Sequence, residues 1–300
     1  MAPDVSLVTV TYGDELAATR VGTGLDAVQR SGGDPPMEVV VVAVGDRGGA
    51  AAEQVVEHAA ETSVHPEILE IAEGTGYARA VNAGVARTSG DIVVAARPEV
   101  TFHQRFLRRI RLEATEGWDF LAPVVRQGED GLQAGGVTRR GRTHRLVDLD
   151  KLPRESQQVS AGNGACVIIR RAALERRVAA VGGLFDEAYE RGGDLDLFWW
   201  AEREGLIVRF VPTLYVGYAV GQEVVPTASD RRREISDYRV TVWKHAERRD
   251  VTGWLLGEAK SVGDQVTAGG LRGLARYAAS WGDTARMARD IKHRRGRVRG

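Results

Sequence analysis

The run Glu38-Val39-Val40-Val41-Val42-Ala43-Val44 is apolar on both faces of any extended chain. A strand of that kind needs cover on both sides, which a parallel sheet flanked by helices provides. The surrounding sequence agrees. Residues 5–11, 68–71 and 91–95 are further short apolar runs, and residues 16–29, 50–60, 77–86 and 102–114 have helical spacing. Strands alternating with helices make right-handed βαβ units, so the first half reads as an α/β, doubly wound, Rossmann-like unit.

The second half changes style. Residues 127–145 are polar and rich in Gly and Arg, which predicts a hairpin or loop. Residues 165–169, 206–210 and 214–216 read as strands, and 194–204 as a helix stopped by Gly205. From Thr227 onward the spacing is helical, with interruptions expected at Gly253, Gly257, Gly263 and Gly269-Gly270. The division this suggests is a domain over 1–220 and a helical extension over 221–300 with a basic tail.

Composition removes several function classes. The chain has 300 residues, with 41 Lys plus Arg against 41 Asp plus Glu, so no net charge draws it to nucleic acid. Cys166 is the lone cysteine, which excludes an internal disulfide and a cysteine-built zinc site. The six histidines show no metal-ligand spacing. The first residues lack the pattern of a signal peptide and no apolar stretch is long enough to span a bilayer, so a cytoplasmic location is expected. Residues 286–300 carry seven basic side chains and one acid, Asp290; they either touch anionic headgroups at the inner membrane face or stand solvated. Arg139, Arg140, Arg142 and Arg145 form a second basic cluster, best read as a solvated loop.

Ligands of a parallel sheet sit at the carboxyl ends of its strands. Those ends hold Thr11-Tyr12-Gly13-Asp14, Gly45-Asp46-Arg47, Glu73-Gly74-Thr75-Gly76 and Arg97-Pro98-Glu99. The Gly76 turn opens a helix whose amides suit a phosphate, or is merely a turn. Glu99 offers oxygen to Mg²⁺ or Mn²⁺. Arg97 either clamps a diphosphate or pairs with Glu99. Asp194 and Asp196 open a helix, where they cap it, face a cleft as acid–base groups, or both. Trp199-Trp200 on that helix either stacks on a sugar ring or belongs to the core. No G-x-G-x-x-G follows the first strand, which speaks against a dinucleotide-dependent oxidoreductase.

Taken in order, Thr11-Tyr12, Glu38 to Val42, Gly76-Tyr77-Ala78-Arg79-Ala80-Val81-Asn82-Ala83-Gly84, Ser89-Gly90-Asp91-Ile92-Val93-Val94, Gly164-Ala165-Cys166, Val181-Gly182-Gly183-Leu184-Phe185-Asp186-Glu187 and Asp194-Leu195-Asp196-Leu197 resemble the family 2 glycosyltransferases of the GT-A fold, rhamnosyltransferase-like members above all. The resemblance spans roughly residues 4–218. It implies an inverting transferase with a nucleotide-diphosphate-sugar donor, a divalent metal, and a carbohydrate, lipid-linked or small-molecule acceptor. It makes Asp194 the catalytic base and Glu99 the metal ligand. Thr11, Tyr12, Gly76, Asn82 and Arg97 would bind donor; Asp196, Trp199 and Trp200 would meet acceptor.

The sequence departs from the family pattern in the donor site. Ala43 stands where an aspartate reads the base, with Asp46 nearby as a substitute. Gly74, Arg97, Gly193, Trp200 and Tyr218 are further departures. Two alternatives follow: metal-independent transfer through Arg97, or a non-catalytic protein of this fold that serves as a binding or scaffold partner.

Overall fold

The computed structural model describes residues 4–13, 38–59, 64–103, 105–114, 117–127, 131–134, 152–189, 193–218, 228–245 and 251–298. The expected helix over 16–29, the arginine cluster of 139–145 and the last two residues of the tail lie outside them. A ten-stranded sheet has the order β3-β2-β1-β4-β9-β6-β10-β5, with β7 beside β6 and β8 beside β10. The strands are β1 (Val5–Thr11), β2 (Glu38–Val44), β3 (Glu67–Ile71), β4 (Ile92–Ala96), β5 (Val100–Phe102), β6 (Phe120–Gln127), β7 (Gly131–Ala134), β8 (Gln157–Val159), β9 (Cys166–Arg170) and β10 (Val208–Tyr218). The helices are α1 (Gly45–Ala59), α2 (Tyr77–Val85), α3 (Phe106–Glu113), α4 (Arg171–Val181), α5 (Gly193–Arg203), α6 (Ala228–His245) and α7 (Val251–Val298).

Strands β1 to β4 are parallel, as their continuous apolar runs require. Alternate residues of β2 feed two different cores. Val39, Val41 and Ala43 join one with α1 and α3, and Val40, Val42 and Val44 join the other with α2, α4 and α5. Gly84 lets α2 lie against the sheet: a Cβ there would stand 2.5 Å from Val8 Cγ1 and 2.7 Å from Val42 Cγ2.

Beyond β4 the sheet becomes mixed. β9 runs antiparallel to β4 and β6, while β10 runs parallel to β6. This places the start of β9 and the end of β10 at the same edge as the carboxyl ends of β1 to β4. The two short strands expected over 206–216 are one, β10, because a register shift between Val211 and Tyr215 absorbs Pro212 without ending the pairing. The helix expected from residue 50 already begins at Gly45, whose φ of +66° makes the corner alone. Residues 100–102 pair with β10 as β5, so α3 starts at Phe106 rather than 102.

The carboxyl-terminal glycines interrupt less than expected. α7 breaks only at Gly270 (φ 54°, ψ −137°). Its two arms close on Arg239 of α6, which pairs with Glu258 at 2.8 Å and lies over the Tyr277 and Trp281 rings at 4.5 and 4.2 Å. No helix among the described residues is long and apolar enough to cross a membrane.

Candidate active site

The site forms where β1, β4, β9 and β10 end or begin together. β1 delivers Tyr12, which is 43% exposed and donates its hydroxyl hydrogen to Thr75 O at 3.2 Å, joining the turn after β3. β4 delivers Arg97, whose amide bonds Ala165 O at 2.9 Å just before β9. The 97–100 turn then lays Glu99 beside Tyr218, because Val100 pairs with Tyr218.

Arg97 is the hub. Its guanidinium lies 5.3 Å from the Tyr77 ring centre, donates to the Tyr218 hydroxyl and shares its charge field with Tyr12, Glu99 and Asp194. Burial works against its charge, but Tyr77, Tyr218, Asp194 and Glu99 outweigh burial and hold Arg97 protonated above its ordinary value. Burial pushes the Tyr77 hydroxyl well up, with Arg97 opposing. Burial likewise raises Tyr12 and Tyr218. These phenols stay neutral; Tyr12 donates to Thr75 O and Tyr218 accepts from Arg97, while Tyr77 meets Arg97 through its ring.

Asp194 sits in the first turn of α5. Its Oδ2 accepts from the Gly164 amide at 3.1 Å and its Oδ1 from the Leu195 amide at 3.0 Å. Gly164 is needed there, since a Cβ would overlap the Asp194 carboxylate. Burial raises the Asp194 pKa, and Arg97 and the backbone amides only partly offset it. A carboxylate fixed by two amides and raised by burial has the make-up of a general base. The capping and acid–base readings of Asp194 are compatible, as one oxygen accepts from the Leu195 amide of its own helix and the other from the Gly164 amide before β9.

Other expected site residues lie elsewhere. Asn82 donates to Phe185 O at 2.8 Å and accepts from the Phe185 amide at 3.0 Å, so its polar atoms hold the 182–189 turn. Asp196 is 0% exposed and cannot meet an acceptor. Two residues along a helix turn a side chain to the opposite face, so Asp196 points inward when Asp194 points to the cleft. It pairs with Arg177 at 2.6 Å, Lys244 at 2.7 Å and His245 at 2.7 Å. Trp200 is core, under the Arg177 guanidinium, and Trp199 is half-buried against the His245 ring. The Thr11 side chain is buried beside the Gly13 amide, and Gly76 begins α2 with no side-chain cap. Ala43 is buried in the core, while Asp46 lines a cavity of about 610 Å³ with Glu53, Glu70 and Glu73 at the ends of β2 and β3.

Tyr77 is the site residue that sequence reasoning missed, since it reads as an ordinary first residue of a helix; Tyr218 is marked in the sequence only as a departure from the family pattern, with no role attached. Their proximity to Arg97 comes only from the sheet order.

The residues present fit a shared divalent cation. Glu99 Oε2 is buried without a hydrogen-bond partner, as is the Tyr77 hydroxyl. Among the described residues no group of three His, Cys, Asp or Glu could hold an ion alone. One carboxylate suffices where substrate phosphates complete the coordination, as is common for Mg²⁺.

No family model and no curated protein matches the chain. Solved structures do. A mannosyltransferase from Pyrobaculum calidifontis, in complex with GDP-Man and Mn²⁺, aligns over 99% of this chain and 85% of its own, at 16% identity and TM-score 0.59. GalNAc-T7 with UDP, GalNAc and Mn²⁺ aligns over 80% of this chain at 14% identity and TM-score 0.58, and the alignment spans 48% of that chain. TarS (residues 1–349) from S. aureus aligns over 97% of this chain and 90% of its own, at 14% identity and TM-score 0.52. The chain has the GT-A glycosyltransferase fold.

Proposed function

We propose that this protein is a glycosyltransferase that moves a sugar from a nucleoside-diphosphate donor to a hydroxyl acceptor with inversion. The observation that carries this reading is Asp194, fixed by two amides and raised by burial, in one charge cluster with Arg97 and Glu99 at the strand ends. Asp194 takes the proton of the acceptor hydroxyl. The hydroxyl oxygen bonds to the anomeric carbon as the bond from that carbon to the diphosphate oxygen breaks, and the diphosphate leaves with the electron pair. Arg97, held by Tyr77 and Tyr218, donates to the diphosphate and offsets its growing charge. A divalent cation held by Glu99 would supply further positive charge to the leaving group. Asp46, at the rim of the 610 Å³ cavity, takes the place of Ala43 in reading the base.

Calorimetric titration of UDP, dTDP and GDP, each with and without Mn²⁺, tests the reading. Micromolar binding strengthened by Mn²⁺ is expected, and the tightest ligand names the base. Binding indifferent to Mn²⁺ assigns the diphosphate to Arg97 alone. No binding of any of the three overturns the reading in favour of a non-catalytic binding or scaffold protein.

The expected contact with anionic headgroups belongs to the same proposal. Exposed Arg272, Arg286, Arg289 and Lys292 lie along α7 with exposed Leu271 and Trp281. Co-sedimentation with phosphatidylglycerol vesicles but not phosphatidylcholine vesicles is the expected result; sedimentation with neither rejects it.

A further inference from the structure

We propose that Lys244, which α6 brings from the carboxyl-terminal helices, is a positioning residue for Asp194: it bridges Asp186 and Asp196 and so fixes the first turn of α5 against the 182–189 turn. Its ammonium lies 2.9 Å from Asp186 Oδ2 and 2.7 Å from Asp196 Oδ1, with the side chain 2% exposed. Asp186 and Asp196 are themselves buried. Lys244 touches both carboxylates; Arg177 pairs with Asp196 and also holds Leu184 O at 3.1 Å.

Each end of the bridge leads to the cleft. Asp196 is two residues from Asp194 in the first turn of α5. Asp186 follows Phe185, whose amide and carbonyl are both held by Asn82 of α2. α2 begins with Tyr77, which carries the Arg97 guanidinium over its ring. Lys244 therefore ties the element that carries the base to the element that carries the diphosphate clamp. His245 adds a second contact from α6: its Nε2 meets Asp196 Oδ1, and its ring lies edge-on to Trp199. Through Lys244 and His245, α6 braces the first turn of α5. The stapling is read from geometry alone, while its catalytic consequence rests on the proposed function.

Two readouts separate these. The amides of Gly164 and Leu195 donate to the two oxygens of Asp194, so their hydrogen exchange reports the placement of that carboxylate. Lys244→Gln should speed exchange at both by about tenfold or more, with the β1 amides unchanged. Lys244→Arg, which keeps the charge, should restore protection. Glu258→Gln breaks the Arg239 pair within the helical extension and serves as a control for loosening that extension; it should leave both amides unchanged. With GDP-mannose and UDP-glucose as donor probes, Lys244→Gln should lower kcat by roughly 10- to 100-fold at constant KM, the scale of an ångström-level misplacement.

If Lys244→Gln does not fold, Asp186→Asn decides, because it cuts one arm of the bridge and leaves Asp196 paired; the same shift in exchange is expected. Unchanged exchange at Gly164 and Leu195 in the folded variant overturns the proposal, as does an equal change in Glu258→Gln. If neither donor turns over in the wild type, that bears on the choice of sugar within the transferase reading, and the exchange measurement still decides the stapling.

Discussion

Replacing Asp194 by Asn is expected to lower glycosyl transfer by about 10²–10⁴-fold, the contribution of a positioned general base. The fold should stand, because Asn retains an acceptor for one of the two amides that now bond the carboxylate. The pH dependence follows from the raised pKa. Transfer needs the ionised carboxylate, so the rate rises with pH through the Asp194 pKa and levels off above it. Burial is the main cause of the shift, so this acid limb lies above the ordinary aspartate value of 3.8. Arg97 opposes the shift, and Arg97→Met should move the limb further up. Initial rates across the pH range check both statements. Undiminished transfer by Asp194→Asn would assign the base to another group.

The largest effect on stability is expected from Arg177→Met. Arg177 and Asp196 are both 0% exposed and meet at 2.6 Å. Removing one partner of such a pair leaves a buried charge undercompensated, which costs about 3–5 kcal/mol. Urea unfolding at neutral pH measures it. The sign of the pH dependence is fixed by Asp196. Burial alone would raise its pKa, but the His245 hydrogen bond and the charges of Arg177 and Lys244 outweigh burial and hold it far below 3.8. The stability this contributes is complete above the unfolded value and is lost as pH falls toward the folded one. The gap between wild type and Arg177→Met should therefore be widest at neutral pH and close as pH drops below about 3.8. His245 contributes here as a neutral ring, since burial lowers its pKa more than Asp196 raises it.

The parallel part of the fold was legible because burial on both faces leaves a continuous apolar run, as in β1, β2 and β4. In the mixed part the strand over 165–169 was legible as β9, but its antiparallel pairing was not, because β6 and β9 are set by partners far away in the chain; β10 was legible as two pieces and not as one, since it crosses Pro212 through a register shift that no local pattern marks. The helix break at Gly270 was legible as a glycine pair, but Gly253, Gly257 and Gly263 were overcounted, since packing around Arg239 overrides their low helix propensity.

In the site, Arg97, Glu99 and Tyr12 come together as neighbouring strand ends should, and Asp194 reaches them from the first turn of α5. Asp196 reads like a cleft residue because it shares a helix with Asp194, yet helical rotation turns it into the core, where Trp200 takes the core alternative of its two readings. The partners of Asp196 lie 19 and 49 residues away at Arg177 and His245, and Lys244 reaches Asp186 across 58. Separations of that order leave no trace in local spacing.

The most direct test of the central claim is a crystal structure of the protein with UDP or GDP and Mn²⁺. The diphosphate is expected within hydrogen-bond reach of Arg97, the ion on Glu99, and Asp194 facing the space where the sugar would lie. A nucleotide bound away from these strand ends, with Arg97 and Asp194 untouched, would contradict it.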